Sequence, residues 1–168
     1  MPNYMMGLDI GTSGCKTIVL DEAGRTAASN TQFYPMHTPK PSWAEQDPTD
    51  WWEAAVKSIR YVLQTLSIFP EDIAAIGLTG QMHGLVILDD EDQVIRPCIM
   101  WNDQRTVEQC RSATEILGLE RVIELTGNQI LPGFTAPKIK WVQENEPEKF
   151  RRITRVLLPK DYIRFKLS

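Results

Sequence analysis

The chain has 168 residues, with 18 lysines and arginines against 22 aspartates and glutamates, a formal net charge of −4 with both histidines neutral; that balance excludes a strongly basic nucleic-acid binder. Hydrophobic residues make up 42% and charged residues 24%, a composition that supports a buried core and excludes a disordered chain. At this length a single domain stands without disulfides or metals as staples, so one domain is expected rather than two.

The longest apolar stretch, Leu85-Val86-Ile87-Leu88, stops at Asp89, well short of the ~18 residues of a membrane span. No membrane partner is expected. The start, Met1-Pro2-Asn3-Tyr4, has no basic region and no apolar segment of signal-peptide length before Asp9, which makes the cytoplasm the expected compartment. Cys15, Cys98 and Cys110 are odd in number and widely spaced; reduced, partly buried thiols are expected, not a disulfide framework or a metal knuckle.

In chain order, Met5 to Ile10 reads as a strand running into the turn-forming cluster Gly11-Thr12-Ser13-Gly14. Cys15 to Asp21 supplies a second, β-branched strand, Glu22-Ala23-Gly24-Arg25 a second turn, and Thr26 to Tyr34 a weaker third strand, together an antiparallel meander. Pro35, Pro39 and Pro41 make the stretch up to Trp43 an extended surface loop. Asp47-Pro48-Thr49-Asp50 predicts a helix start, with Asp47 as cap and Pro48 at the first helical position. Trp52, Val56, Ile59, Leu63 and Leu66 follow at spacings of three and four and form the expected apolar stripe. Ile73 to Leu78 is a continuous apolar run, expected as a parallel strand buried on both faces. Gly84–Leu88 and Val94–Met100 read as a hairpin around Asp89-Asp90-Glu91-Asp92, a solvated turn lacking the interleaved ligands of a calcium loop. A helix then buries Val107, Cys110, Thr114 and Leu117 and ends at Gly118. Thr135 to about Asn145 predicts another, Val156-Leu157-Leu158 a buried strand, and Lys160 to Leu167 a last helix. The order implies an α/β domain with a mixed sheet.

Three clusters offer chemistry. Asp9 places a carboxylate at a strand end before a turn of glycines, hydroxyls and backbone N–H groups, with Lys16 nearby; such a turn suits phosphate oxygens and such a carboxylate a hydrated Mg²⁺. The alternative is a hairpin turn whose hydroxyls satisfy the backbone. It is not a Walker loop, since a strand follows and the Gly-Lys-Ser/Thr ending is absent. Gly80-Gln81-Met82-His83-Gly84 exposes polar side chains between flexible glycines, as a polyol requires, or else holds a satisfied structural histidine. Trp101 offers a stacking face and Asn102 and Asp103 offer donors and acceptors to hydroxyls; alternatively one of the latter caps the next helix and Arg105 is its solvated first turn.

Taken together, Asp9-Ile10-Gly11-Thr12-Ser13-Gly14, Trp43-Ala44-Glu45-Gln46-Asp47-Pro48, Gly80-Gln81-Met82-His83-Gly84, Trp101-Asn102-Asp103-Gln104-Arg105, Thr126-Gly127-Asn128, Leu131 to Lys138 and Leu157 to Tyr162 resemble, in order and over nearly the whole chain, the N-terminal region of the FGGY family of carbohydrate kinases. The resemblance implies an incomplete actin-like ATPase, ribonuclease-H-like α/β domain with a mixed sheet. The implied activity is transfer of the γ-phosphate of ATP, with Mg²⁺, to D-xylulose, since Met82-His83 looks like the ketose form of a position where the family's glycerol kinases carry Arg-Glu. Ribulose, gluconate or glycerol kinases, and a non-catalytic carbohydrate- or nucleotide-binding module, are the alternatives. By the same resemblance Asp9 is the catalytic carboxylate facing Mg²⁺, and Gly11, Thr12, Ser13 and Lys16 contact ATP phosphates. Met82 and His83 contact the ketose, with Trp101, Asn102 and Asp103 in or beside the sugar pocket. Residues 1–168 are then expected to be the sugar-binding, N-terminal part of the first domain of a longer protein. The catalytic base, an aspartate, and the ATP-clasping domain would lie downstream, and the full-length protein would form a homodimer.

Overall fold

The computed structural model describes residues 4–168; the Met1-Pro2-Asn3 stretch read above for a leader lies outside them. The described elements are β1 (Tyr4–Ile10), β2 (Gly14–Leu20), β3 (Thr26–Phe33), β4 (Glu45–Gln46), α1 (Pro48–Leu66), β5 (Ile73–Gly80), β6 (Val86–Leu88), β7 (Cys98–Ile99), α2 (Val107–Leu117), α3 (Leu119–Thr126), α4 (Thr135–Asn145), α5 (Pro147–Arg151), β8 (Arg155–Leu157) and α6 (Pro159–Leu167). Where length alone suggests one domain, contacts divide the chain into two compact units. The first holds Met1–Met36, Asp47–Gln81 and Pro159–Ser168, the second His37–Gln46 and Met82–Leu158. The chain thus crosses between units several times at points that composition does not mark.

In the first unit β1, β2 and β3 form the expected antiparallel meander and β5 joins β1 in parallel, in the order β3-β2-β1-β5. Met6, Leu8 and Ile10 alternate inward along β1 while Met5 and Asp9 face out; this period of two sets which face carries chemistry and which carries core. Helix α1 begins as its sequence dictates: Asp47 Oδ1 accepts from the Thr49 N–H at 2.9 Å, Pro48 takes the first turn, and Ser67 closes the helix at φ 53. Its buried face is nevertheless Trp51, Ala54, Ala55, Ser58 and Val62, one residue out of phase with the predicted stripe. Trp52, Val56, Ile59, Leu63 and Leu66 are half-buried along its flank. Hydropathy weights the large side chains, whereas the small Ala54, Ala55 and Ser58 are the ones that let the helix settle against a sheet; Ser58 Oγ donates to the Asn30 carbonyl of β3 at 3.1 Å.

Strand β5 is parallel to β1 as expected and, among the described residues, stands last in the sheet, with Ala74 to Gly77 exposed. At its end a β-carbon added to Gly80 would stand 2.8 Å from the Ile10 carbonyl oxygen and 2.9 Å from Ile10 Cβ. Gly80→Ala should therefore displace the end of β1 and lower stability by about 1–3 kcal/mol. A thermal melt within a degree of the parent would show that this approach is not needed.

The second unit is built from short strands. β6, buried along its whole length, pairs with β8, and β7 pairs with β4. The predicted hairpin survives through the Leu88–Val94 and Leu85–Ile99 bridges. Leu85, Ile87, Ile99, Trp141 and Val142 form its core. β8 departs from expectation, with Arg155 and Val156 exposed and Leu157 half-buried. Helix α2 buries Gln109 and Cys110 and leaves Val107 and Leu117 exposed, so its predicted apolar face is largely a surface. α3 and α5, with 8 and 5 residues, fall below the length at which periodicity is readable. The acidic turn is less solvated than its composition suggests: Asp89 is buried, accepts from the Glu91 and Gln93 N–H groups and pairs with Arg152 at 2.7 Å. All three cysteines are free and buried, as expected.

Candidate functional site

In the first unit the face of the sheet turned away from α1 carries Asp9. Its partners in register are Lys16 on β2 and Thr79 on β5, and together with Gly7, Ile18 and Gly77 they line an open groove of about 380 Å³. Asp9 and Lys16 are exposed, and neither side chain makes an ion pair or hydrogen bond among the described residues. At the adjoining turn the Gly11 N–H donates to the Gly14 carbonyl at 3.0 Å. Gly14 has no room for a side chain, since a β-carbon would sit 2.7 Å from the Gln32 carbonyl oxygen. Tyr34, which sequence reasoning did not single out, pins the turn: its hydroxyl donates to the Gly11 carbonyl at 2.6 Å and its N–H to Ser13 O at 3.4 Å. Burial, then the charges of Cys15 and Asp9, push its phenol well above the usual range. Burial, with Asp9 beside it, also pushes the Cys15 thiol up to about 11.

An unpaired carboxylate beside an unpaired ammonium suits a divalent cation that arrives with a phosphate chain. No group of three His, Cys, Asp or Glu able to cage a metal exists among the described residues. Asp9 is accordingly a single carboxylate on this face, able to offer a metal no more than its own two oxygens.

The second unit gathers the other predicted residues. His83 sits at the centre of a three-residue turn closed by the Gly84 N–H on the Met82 carbonyl at 2.8 Å, with φ 62. A γ-turn of this hand is rare and strained for a side-chain-bearing residue. The imidazole lies against the Phe134 ring, centroids 4.7 Å apart, while Met82 and Trp101 expose 67% and 47% of their surface. Segment 131–138 binds these pieces together. A β-carbon on Gly133 would stand 2.8 Å from the Trp101 carbonyl oxygen. Lys138 Nζ donates to the carbonyls of His83 (2.7 Å) and Gly133 (2.6 Å). Asn102 is half-buried beside Trp101 in sequence.

Asp103, expected in or beside the sugar pocket, has its carboxylate turned to the protein's own donors. It is fully buried, and the protein itself occupies both oxygens. Oδ2 accepts from the Ala44 N–H (2.7 Å) and Arg105 Nη2 (2.8 Å), Oδ1 from the Arg105 N–H and Nε, each at 2.9 Å. Arg105, read above as a solvated alternative, is equally internal: its guanidinium lies 3.7 Å over the Trp43 ring and 5.0 Å from that of Trp141, and pairs with Glu45 at 2.8 Å. Glu45 also pairs with Arg96, which reaches Glu146 at 3.3 Å. The Trp43-Ala44-Glu45 and Asp103-Gln104-Arg105 motifs are thus two halves of one buried ionic cluster. The clue available from sequence is a tryptophan beside an acid in each motif, a pattern that suits a stacked guanidinium.

The sequence profile of the FGGY family of carbohydrate kinases, N-terminal domain, matches residues 4–168. The xylulose kinase of Escherichia coli K12 is 45% identical over 163 residues, which cover 97% of this chain and 33% of that protein. Among solved structures, a xyloylose kinase from Brucella ovis superposes with a TM-score of 0.88 at 42% identity, covering 97% of this chain and 34% of that one. Gluconate kinase from Lactobacillus acidophilus superposes with a TM-score of 0.90 at 27% identity, covering 99% and 33%. The chain spans about a third of the length of the curated relatives it matches. Its mixed sheet and helices are those of the actin-like ATPase fold, in partial form, and the chain belongs to the FGGY family of carbohydrate kinases.

Proposed function

We propose that this chain is the N-terminal part of an ATP-dependent D-xylulose kinase of the cytoplasm. The observation that carries the reading is 45% identity to a xylulose kinase over nearly the whole chain. In the reaction a sugar hydroxyl oxygen attacks the γ-phosphorus, the bond to the β,γ-bridging oxygen breaks, ADP leaves, and the hydroxyl proton passes to a base expected downstream of residue 168. Such catalysis is positioning plus charge neutralisation. Asp9 would hold Mg²⁺, whose charge offsets that of the transferring phosphate. Gly11, Thr12, Ser13 and Lys16 would steady the phosphates of ATP. Met82, His83 and Trp101 would shape the sugar pocket, with Asn102 at its margin.

The likeness to a gluconate kinase supports a second reading, a kinase of this family acting on another polyol. The test is ADP release by the full-length protein with Mg²⁺ and D-xylulose, D-ribulose, gluconate or glycerol in parallel. D-xylulose should give the highest kcat/KM. A higher value for another sugar selects the second reading, and no sugar-dependent turnover with any of them sinks both.

A further inference from the structure

We propose that Lys138 is a positioning residue for sugar binding, clamping the strained His83 turn against the 131–135 loop so that the imidazole holds one orientation. The inference rests on the reading of Met82-His83 as the sugar-contacting pair.

Lys138 is fully buried and makes no ion pair among the described residues. Its acceptors are two backbone carbonyls, those of His83 and Gly133. A buried ammonium without a carboxylate partner is costly, and an apolar side chain of similar volume would ordinarily stabilise such a site better. The residue stands, moreover, in the first turn of α4, at the end of the helix dipole that disfavours a cation. Burial accordingly pulls its ammonium down to about 8, although the charges of Cys98 and Asp103 favour the protonated form; Arg105 opposes it.

What the lysine holds gives that cost a function. The His83 carbonyl accepts from two side chains at once, Lys138 Nζ and Thr135 Oγ1 (3.2 Å). Phe134, immediately before Thr135, packs its ring on the imidazole. A left-handed γ-turn at a histidine persists only where its surroundings over-determine it, and these three residues of one segment supply that determination. The carbonyl is fixed from behind, so the side chain is aimed from in front.

The test uses the full-length protein with Lys138→Met, an unbranched side chain one atom shorter that removes the donors, and Thr135→Val, which removes the second donor without a buried charge. Lys138→Met should raise KM for the sugar about tenfold and Thr135→Val two- to fivefold, with KM for ATP changed less than twofold. A merely structural role would lower the folded fraction, and with it the apparent kcat, while leaving both KM values alone. That outcome, or a sugar KM within twofold of the parent in folded Lys138→Met, overturns the clamp. If Lys138→Met does not fold, Thr135→Val decides, and an unchanged sugar KM overturns it. A wild-type protein without sugar-dependent turnover instead refutes the functional reading, and the clamp with it.

Discussion

Arg105→Ala should lower the stability of the second unit by about 3–5 kcal/mol, the cost of leaving buried charges without their partner. The guanidinium is 1% exposed and neutralises Asp103, 0% exposed, and Glu45, 13% exposed. It also fills the space between Trp43 and Trp141. Truncation thus leaves Asp103 with only two backbone donors, the N–H groups of Ala44 and of residue 105, and no countercharge, and opens a void beside two aromatic rings. Arg105→Lys keeps the charge but not the fork that serves Asp103 through two nitrogens, so it should cost less than alanine yet well over 1 kcal/mol. Arg111 supplies the contrast. It bridges Glu108 and Glu115 on the surface, with all three side chains more than 60% exposed, and Arg111→Ala should cost below about 1 kcal/mol. Urea titration followed by tryptophan fluorescence reads the difference directly, because Trp43 and Trp141 touch the guanidinium. A loss below 1 kcal/mol for Arg105→Ala would mean that the cluster contributes little to the folded state.

That cluster also shows where sequence reasoning stops. The meander of β1 to β3, the start of α1 and the extent of α4 were legible because each is decided locally: by Gly11 to Gly14, by Asp47-Pro48, by Thr135-Ala136-Pro137. The phase of α1 was not, because its buried face follows from the fit of Ala54, Ala55 and Ser58 rather than from side-chain hydropathy. The same division runs through the candidate site. Asp9 with its turn and Met82-His83 announce their chemistry within a few residues. The burial of Asp103 depends on Ala44 and Arg105, and the support of the two candidate centres on Tyr34 and Lys138. These are single residues whose roles arise from carbonyls distant in sequence, and no local pattern marks them.

If the proposed kinase activity holds, Asp9→Asn should cost the full-length protein roughly 10²–10³-fold in kcat, the scale on which removing one preorganised electrostatic contact acts. The substitution changes charge while keeping shape, and the fold does not depend on that charge. The side chain is exposed on the open face of the sheet, opposite Lys16 in register but bonded to nothing among the described residues. Stability should accordingly stay within about 0.5 kcal/mol of the parent. That separation makes the prediction sharp, because a loss of activity cannot then be ascribed to unfolding. The KM for the sugar should move less than twofold, since the proposed sugar contacts belong to the other unit. The Mg²⁺ concentration needed for half-maximal rate should rise, because a neutral amide is a poorer ligand for a hard cation than a carboxylate. Initial rates across a Mg²⁺ series at saturating sugar and ATP, and across a sugar series at saturating Mg²⁺ and ATP, provide all three readouts, with a melting curve as the control. A variant that keeps more than a tenth of the parental kcat at ordinary Mg²⁺ would remove Asp9 from the phosphate end of the site, and would leave the groove between β1, β2 and β5 without its proposed role.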